Sequence, residues 1–108
     1  MITVIVLKHH EEIRGFQLEG HAEFAAKGKD IVCSAVSALY ISMINSLQAF
    51  TEDVFEVRHD EKQDFQNVFF QNPLSEKAKL LAESFLLGIK GIAKEYGSRY
   101  IEIKDQEV

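Results

Sequence analysis

Twenty consecutive residues in the middle of the chain, IVCSAVSALYISMINSLQAF (31–50), carry no charge. A run of that length either spans a membrane or forms a helix that buries one side in a protein core. Ser34, Ser37, Ser42, Asn45, Ser46 and Gln48 interrupt it, and so many polar groups are costly in hydrocarbon. The expectation is therefore a helix in a globular core. Apolar residues occur nearly all round it, so it should be central. Asp30, immediately before the run, suits the N-cap of a helix that extends to about Phe50.

The flanking segments have a different period. MITVIVLK is rich in β-branched residues and reads as a strand buried on both faces. IRGFQLEG alternates, with Phe16 and Leu18 on one side and Gln17 and Glu19 on the other. The polar HHEE between them predicts a hairpin. DVFEVRHD and DFQNVFFQ predict a second hairpin. NPLSEKAKLLAESFLLGIKGIAKEYG is then a helix, with Asn72 or Ser75 as its cap, Pro73 in its first turn and Gly97 as its stop. Its apolar stripe is Ala78, Leu81, Phe85, Ile89, Ile92 and Tyr96. Gly88 and Gly91 each cost roughly 1 kcal/mol relative to alanine inside that helix, which implies close packing against the first helix or the sheet, or at a subunit interface. RYIEIK closes as a last strand.

The order ββαββαβ predicts an α+β fold with a mixed sheet and two packed helices, the first central. At 108 residues the chain is expected to form a single domain, 1–108. Disorder is expected only at residues 105–108. The net charge of −5 argues against direct nucleic-acid binding and suits a basic partner better. A single cysteine excludes an internal disulfide framework, and the apolar residues 2–7 are too few for the core of a signal peptide. The expected location is the cytoplasm, with no membrane partner. His9, His10, His21 and His59 form no metal-ligand spacing with Cys33, so neither a metal nor another cofactor is expected.

With Asp30 as cap, Cys33 falls in the first helical turn, where unpaired N–H groups and the helix dipole favour negative charge. The Asp30 carboxylate opposes this unless it caps an N–H or orients a histidine. His21, at the end of the second strand, is the natural base. The connection 22–29 is long enough to fold back, since eight extended residues reach about 26–29 Å. Gly20 and Gly28 bracket it and would let it move as a lid. Ser37, one turn after Cys33, is placed to donate a hydrogen bond on the same face. Each residue also has a plainer reading: Cys33 as core filler, His21 as a hydrogen-bonded strand end, Asp30 as a cap, Ser37 as a small residue at a helix contact. Spacing leaves both readings open.

GHAEFAAKG followed by DIVCSAVSAL resembles the ribosomal-processing cysteine protease family of bacteria. In that family a Gly-His-Ala segment ends a strand and an Asp-Ile-Val-Cys segment starts the central helix. The diagnostic identity covers residues 20–39, and the order of elements matches over the whole chain. The resemblance implies a cysteine endopeptidase that trims the N-terminal extension of the large-subunit ribosomal protein numbered twenty-seven, at a hydrophobic and aromatic motif. The precursor of that protein would be its peptide substrate. It further implies Cys33 as nucleophile, His21 as general base, Asp30 and Ser37 as active-site positions, and a homodimer. A flexible loop is implied between histidine and cysteine, here Ala22 through Lys27, Gly28 and Lys29. The alternative is a non-catalytic dimeric interaction module associated with ribosome assembly.

Overall fold

Seven elements follow one another as β1 (Ile2–His9), β2 (Glu12–Glu19), α1 (Lys27–Phe50), β3 (Phe55–Asp60), β4 (Phe65–Phe70), α2 (Glu76–Tyr96) and β5 (Ile101–Glu107). The structure is a computed structural model that describes residues 1–20 and 27–108, with 27–30 described by their backbone alone. The ββαββαβ order is the one expected from the change of hydrophobic period along the chain. The strands form one sheet in the order β3-β4-β2-β1-β5. All neighbours are antiparallel except β1 and β5, which run parallel. His10 and Glu11 close the first hairpin with φ of 48° and 70°, the mirror-image turn whose twist matches that of the strands.

One cluster forms the core. Val4, Val6, Phe16, Leu18, Val68, Phe70 and Ile101 from the sheet meet Val32, Val36, Tyr40, Met43 and Leu47 of α1 and Ala78, Ala82, Phe85 and Ile89 of α2. The Phe85 ring lies edge-on to Phe16, with centroids 4.9 Å apart, and to Tyr40 at 6.1 Å. Burial pushes the Tyr40 hydroxyl up to about 12. Both helices pack on the same side of the sheet, so β1 is fully buried along one face only: Val4 and Val6 are inside, while on the other face Thr3 and Ile5 are half-buried and Leu7, outside the main core cluster, is buried. β-branched residues favour a strand, but they do not report how many layers cover it.

α1 includes a segment, Ile31–Phe50, that is long and apolar enough to cross a membrane, with a mean hydropathy of 1.4. Its buried residues recur at helical spacing and supply the centre of the core. Its opposite side, with Ile31, Ser34, Ala38, Ile41 and Asn45, is exposed, so burial is one-sided and not all round.

α2 runs antiparallel to α1. Leu39, in the middle of α1, meets Gly88, where an added Cβ would lie 2.8 Å from a Leu39 methyl. Helix contact therefore accounts for Gly88. It does not account for Gly91, whose added Cβ would meet nothing within 4 Å. Alanine at Gly91 should raise stability by about 0.5–1 kcal/mol through helix propensity alone. At Gly88 the same gain is offset by displacing Leu39. Urea unfolding should rank Gly91→Ala above Gly88→Ala, and the reverse order would contradict this packing.

Ser75 caps α2: its Oγ accepts from the Ala78 N–H at 3.1 Å. Pro73 precedes the helix and does not occupy its first turn. Asp53 in turn accepts from the Ser75 N–H at 2.9 Å and from the Ser75 hydroxyl, tying the end of α1 to the start of α2. Burial alone would raise the Asp53 carboxyl, but hydrogen bonds from Ser75 and Thr51 outweigh it and hold the group below its ordinary value. A depressed native pKa stabilises the fold above the ordinary carboxylate range, and that contribution is lost as pH falls through the lowered value. Asp53→Asn should lower the thermal midpoint by a few degrees at neutral pH. The difference from the parent should close in acid; a gap unchanged down to pH 2 would refute the assignment.

Gly97 ends α2 with φ 87° and returns its N–H to the Ala93 carbonyl at 2.8 Å. β5 continues to Glu107, so residues 105–107 are strand and not a disordered tail. Asp105 pairs with the Lys8 ammonium at 3.2 Å, and the Val108 N–H reaches the Lys8 carbonyl at 2.8 Å. Their polar composition reflects an edge strand.

Candidate active site

α1 starts at Lys27, so Lys27, Gly28, Lys29 and Asp30 have helical backbone. Two expectations are corrected by this. Asp30 is inside the first turn and is not the cap, and Lys27, Gly28 and Lys29 are not loop. Lysine and aspartate do not break a helix. The cost of about 1 kcal/mol for Gly28 is outweighed once a long helix has nucleated beside it. Among the described residues the N–H groups without a helical partner then belong to residues 27–29. Cys33, the seventh residue of α1, is beyond the first turn, where the dipole is strongest. Its side chain leans back toward the N-terminus, over the preceding turn.

Cys33 is half-buried and packs against the core cluster. Ser37, one turn later, is exposed. Positions 30, 33, 37 and 44 recur at intervals of three, four and seven, so they share one flank of α1. Leu39, which meets Gly88, is on the other flank, toward α2. The flank carrying Cys33 and Ser37 therefore points away from α2. Since α2 packs beside β5, at one edge of the sheet, this flank overlooks the opposite edge, formed by β4 and β3.

The structure thus places Cys33, Ser37 and the backbone of Asp30 on one flank. His21 and Ala22 lie outside the described residues. Among the described residues no three His, Cys, Asp or Glu side chains come together as metal ligands. The rings of His9 and His10 meet at a tilt of 58° at the first hairpin, with centroids 4.2 Å apart. At the edge formed by β4 and β3, Val57 and His59 of β3 pair with Val68 and Gln66 of β4 on the helix-facing side of the sheet. The sequence distinguishes His59 only by its lack of metal-ligand spacing, and the alternation in VFEVRHD reports a face without saying what covers it.

The family model of the cysteine protease Prp matches residues 1–102. The ribosomal processing cysteine protease Prp of Bacillus subtilis (strain 168) is 30% identical over 103 residues, covering 89% of this chain and 90% of its own length. Its counterpart from Staphylococcus aureus (strain Mu50 / ATCC 700699) is 25% identical over 97 residues, with 89% and 92% covered. Among solved structures, SMU.848 from Streptococcus mutans matches with a TM-score of 0.87 at 28% identity, over 100% of this chain and 99% of that one. The S. aureus ribosomal processing protease Prp in complex with a substrate peptide shares the fold, with a TM-score of 0.89 at 22% identity over 98% and 100% of the two chains.

Proposed function

The chain belongs to the family of the cysteine protease Prp and is a cysteine endopeptidase, and from that premise we propose that it processes a ribosomal protein precursor. The substrate is the N-terminal extension of the large-subunit ribosomal protein numbered twenty-seven, cut at a hydrophobic and aromatic motif. The observation that carries this reading is the match, along nearly the whole chain, to a ribosomal processing protease of B. subtilis. The chain's only cysteine, on a flank of α1 that faces away from α2, fits it.

In this reading the Cys33 thiolate attacks the scissile carbonyl and His21 takes the thiol proton. The tetrahedral intermediate collapses as His21 passes that proton to the leaving amine, and water then releases the acyl-enzyme with His21 as base. The N–H groups of residues 27–29, in the turn before Cys33, are the donors available for the oxyanion, a role worth a few kcal/mol per donor in other hydrolases. Asp30 and Ser37, one turn to either side of Cys33, orient His21 or the peptide. The net charge of −5 draws in a basic ribosomal substrate. The uncharged outward side of α1 supports a homodimer, and a single cysteine without a disulfide suits the cytoplasm.

The test is incubation of the purified chain with the full-length precursor, read by mass spectrometry. One cut that leaves the mature N-terminus is expected. An intact precursor, or cuts scattered along it, would defeat the substrate assignment.

A further inference from the structure

A catalytic base works only from a fixed position, so whatever holds the backbone leading into His21 bears on the rate. That backbone is Gly20, at the end of β2, a strand with β4 on one side and β1 on the other. Gly20 is held from both sides. Its N–H donates to the Asp64 carbonyl at 3.0 Å, which carries the β2–β4 ladder one residue past the Glu19 and Phe65 pair. On the β1 side the Met1 carbonyl is so close that a Cβ on residue 20 would collide with its oxygen. Gly20 also has a φ of 82°, in the left-handed region that only glycine enters freely.

Both contacts are themselves prepared. Asp64 has a φ of 49°, a left-handed conformation that aspartate and asparagine tolerate and β-branched residues do not. It closes the β3–β4 turn, in which the Lys62 and Gln63 N–H groups donate to the Asp60 carboxylate at 3.0 and 3.3 Å. Across the sheet, the Ile2 N–H donates to the Tyr100 carbonyl at 3.0 Å and fixes the start of β1. Residues 60–64 are exposed and carry only polar or charged side chains. Core packing therefore does not explain why this turn is so closely specified.

We propose that the β3–β4 turn positions the general base: Asp64, held left-handed at the end of that turn, fixes Gly20 against Met1, and Gly20 sets the direction in which the chain enters His21. This role rests on His21 being the general base. Gly20 and Asp64 are then positioning residues that act through His21. The placement accounts for a glycine at a strand end that has neighbours on both sides, where glycine otherwise weakens the ladder. Its value is in the rate, since a misplacement of about 1 Å at a catalytic group costs about 10²-fold.

The test compares cleavage of a peptide spanning the processing junction by the parent, Gly20→Ala, Asp64→Val, Asp64→Asn and His21→Ala, each at a temperature where circular dichroism shows it folded. Gly20→Ala and Asp64→Val should lower kcat about 10²-fold while KM stays within about twofold. Asp64→Asn keeps the left-handed turn and should restore most of the rate that Asp64→Val loses. Alkylation of Cys33 by iodoacetamide against pH gives a second readout. A misplaced base should move the profiles of Gly20→Ala and Asp64→Val toward that of His21→Ala, which a loss of stability alone does not do. Parent-like kcat and alkylation in Gly20→Ala and Asp64→Val, beside an inactive His21→Ala, would overturn the positioning role. Equal losses in Asp64→Asn and Asp64→Val would also overturn it, by assigning the effect to the carboxylate. Cleavage retained by His21→Ala would instead remove the general-base reading, and the positioning role with it.

Discussion

Cys33→Ala should leave the chain folded, with a thermal midpoint close to the parent's, and lower the rate of peptide cleavage by about 10⁴-fold or more, the scale seen when a hydrolase loses its nucleophile. The fold tolerates the change because Cys33 is only half-buried and packs at the margin of the core. Alanine keeps the helical backbone and removes a single heavy atom. His21→Ala should lose a comparable factor, and the double variant should be no slower than either single one, since nucleophile and base act as a unit. Initial rates by liquid chromatography decide the matter. Residual cleavage by Cys33→Ala within tenfold of the parent would remove Cys33 from the nucleophile's role.

What the sequence discloses about this site depends on whether the information is local. Cys33 and Ser37 are one turn apart on any helix, so their shared flank follows from numbering alone. Where the helix starts does not: Asp30 has the chemistry of a cap, but aspartate is also accepted inside a helix, and the first turn forms around it. The extension of β5 through polar residues is hidden for a related reason, since its partner β1 is almost a hundred residues away. Gly15 reads as an ordinary strand residue, yet an added Cβ there would lie 2.3 Å from the Val68 carbonyl oxygen. The exposure of Val57 on the helix-facing side of β3 is least legible of all. It depends on how far two helices reach across a five-stranded sheet, which no single segment encodes.

Phe16 marks the point where this two-layer arrangement is most sensitive. It is on the central strand at 0% exposure, pairs with Val6 on one side and Val68 on the other, and touches the Phe85 ring of α2 edge-on at 4.9 Å. The same Phe85 ring meets Tyr40 of α1, so Phe16, Phe85 and Tyr40 join the sheet to both helices. Phe16→Ala removes the ring from a site that the neighbouring strands hold open, and should cost about 3–5 kcal/mol. That is a large share of the roughly 5–15 kcal/mol available to a domain of this size, and it should lower the thermal midpoint by about 12 °C or more. The loss should appear as a lower urea midpoint at unchanged slope, with cleavage per folded molecule preserved in the cold because Phe16 is not on the Cys33 flank. A loss below about 1 kcal/mol would mean that the helices can close over the vacated volume, and that the sheet does not fix their separation.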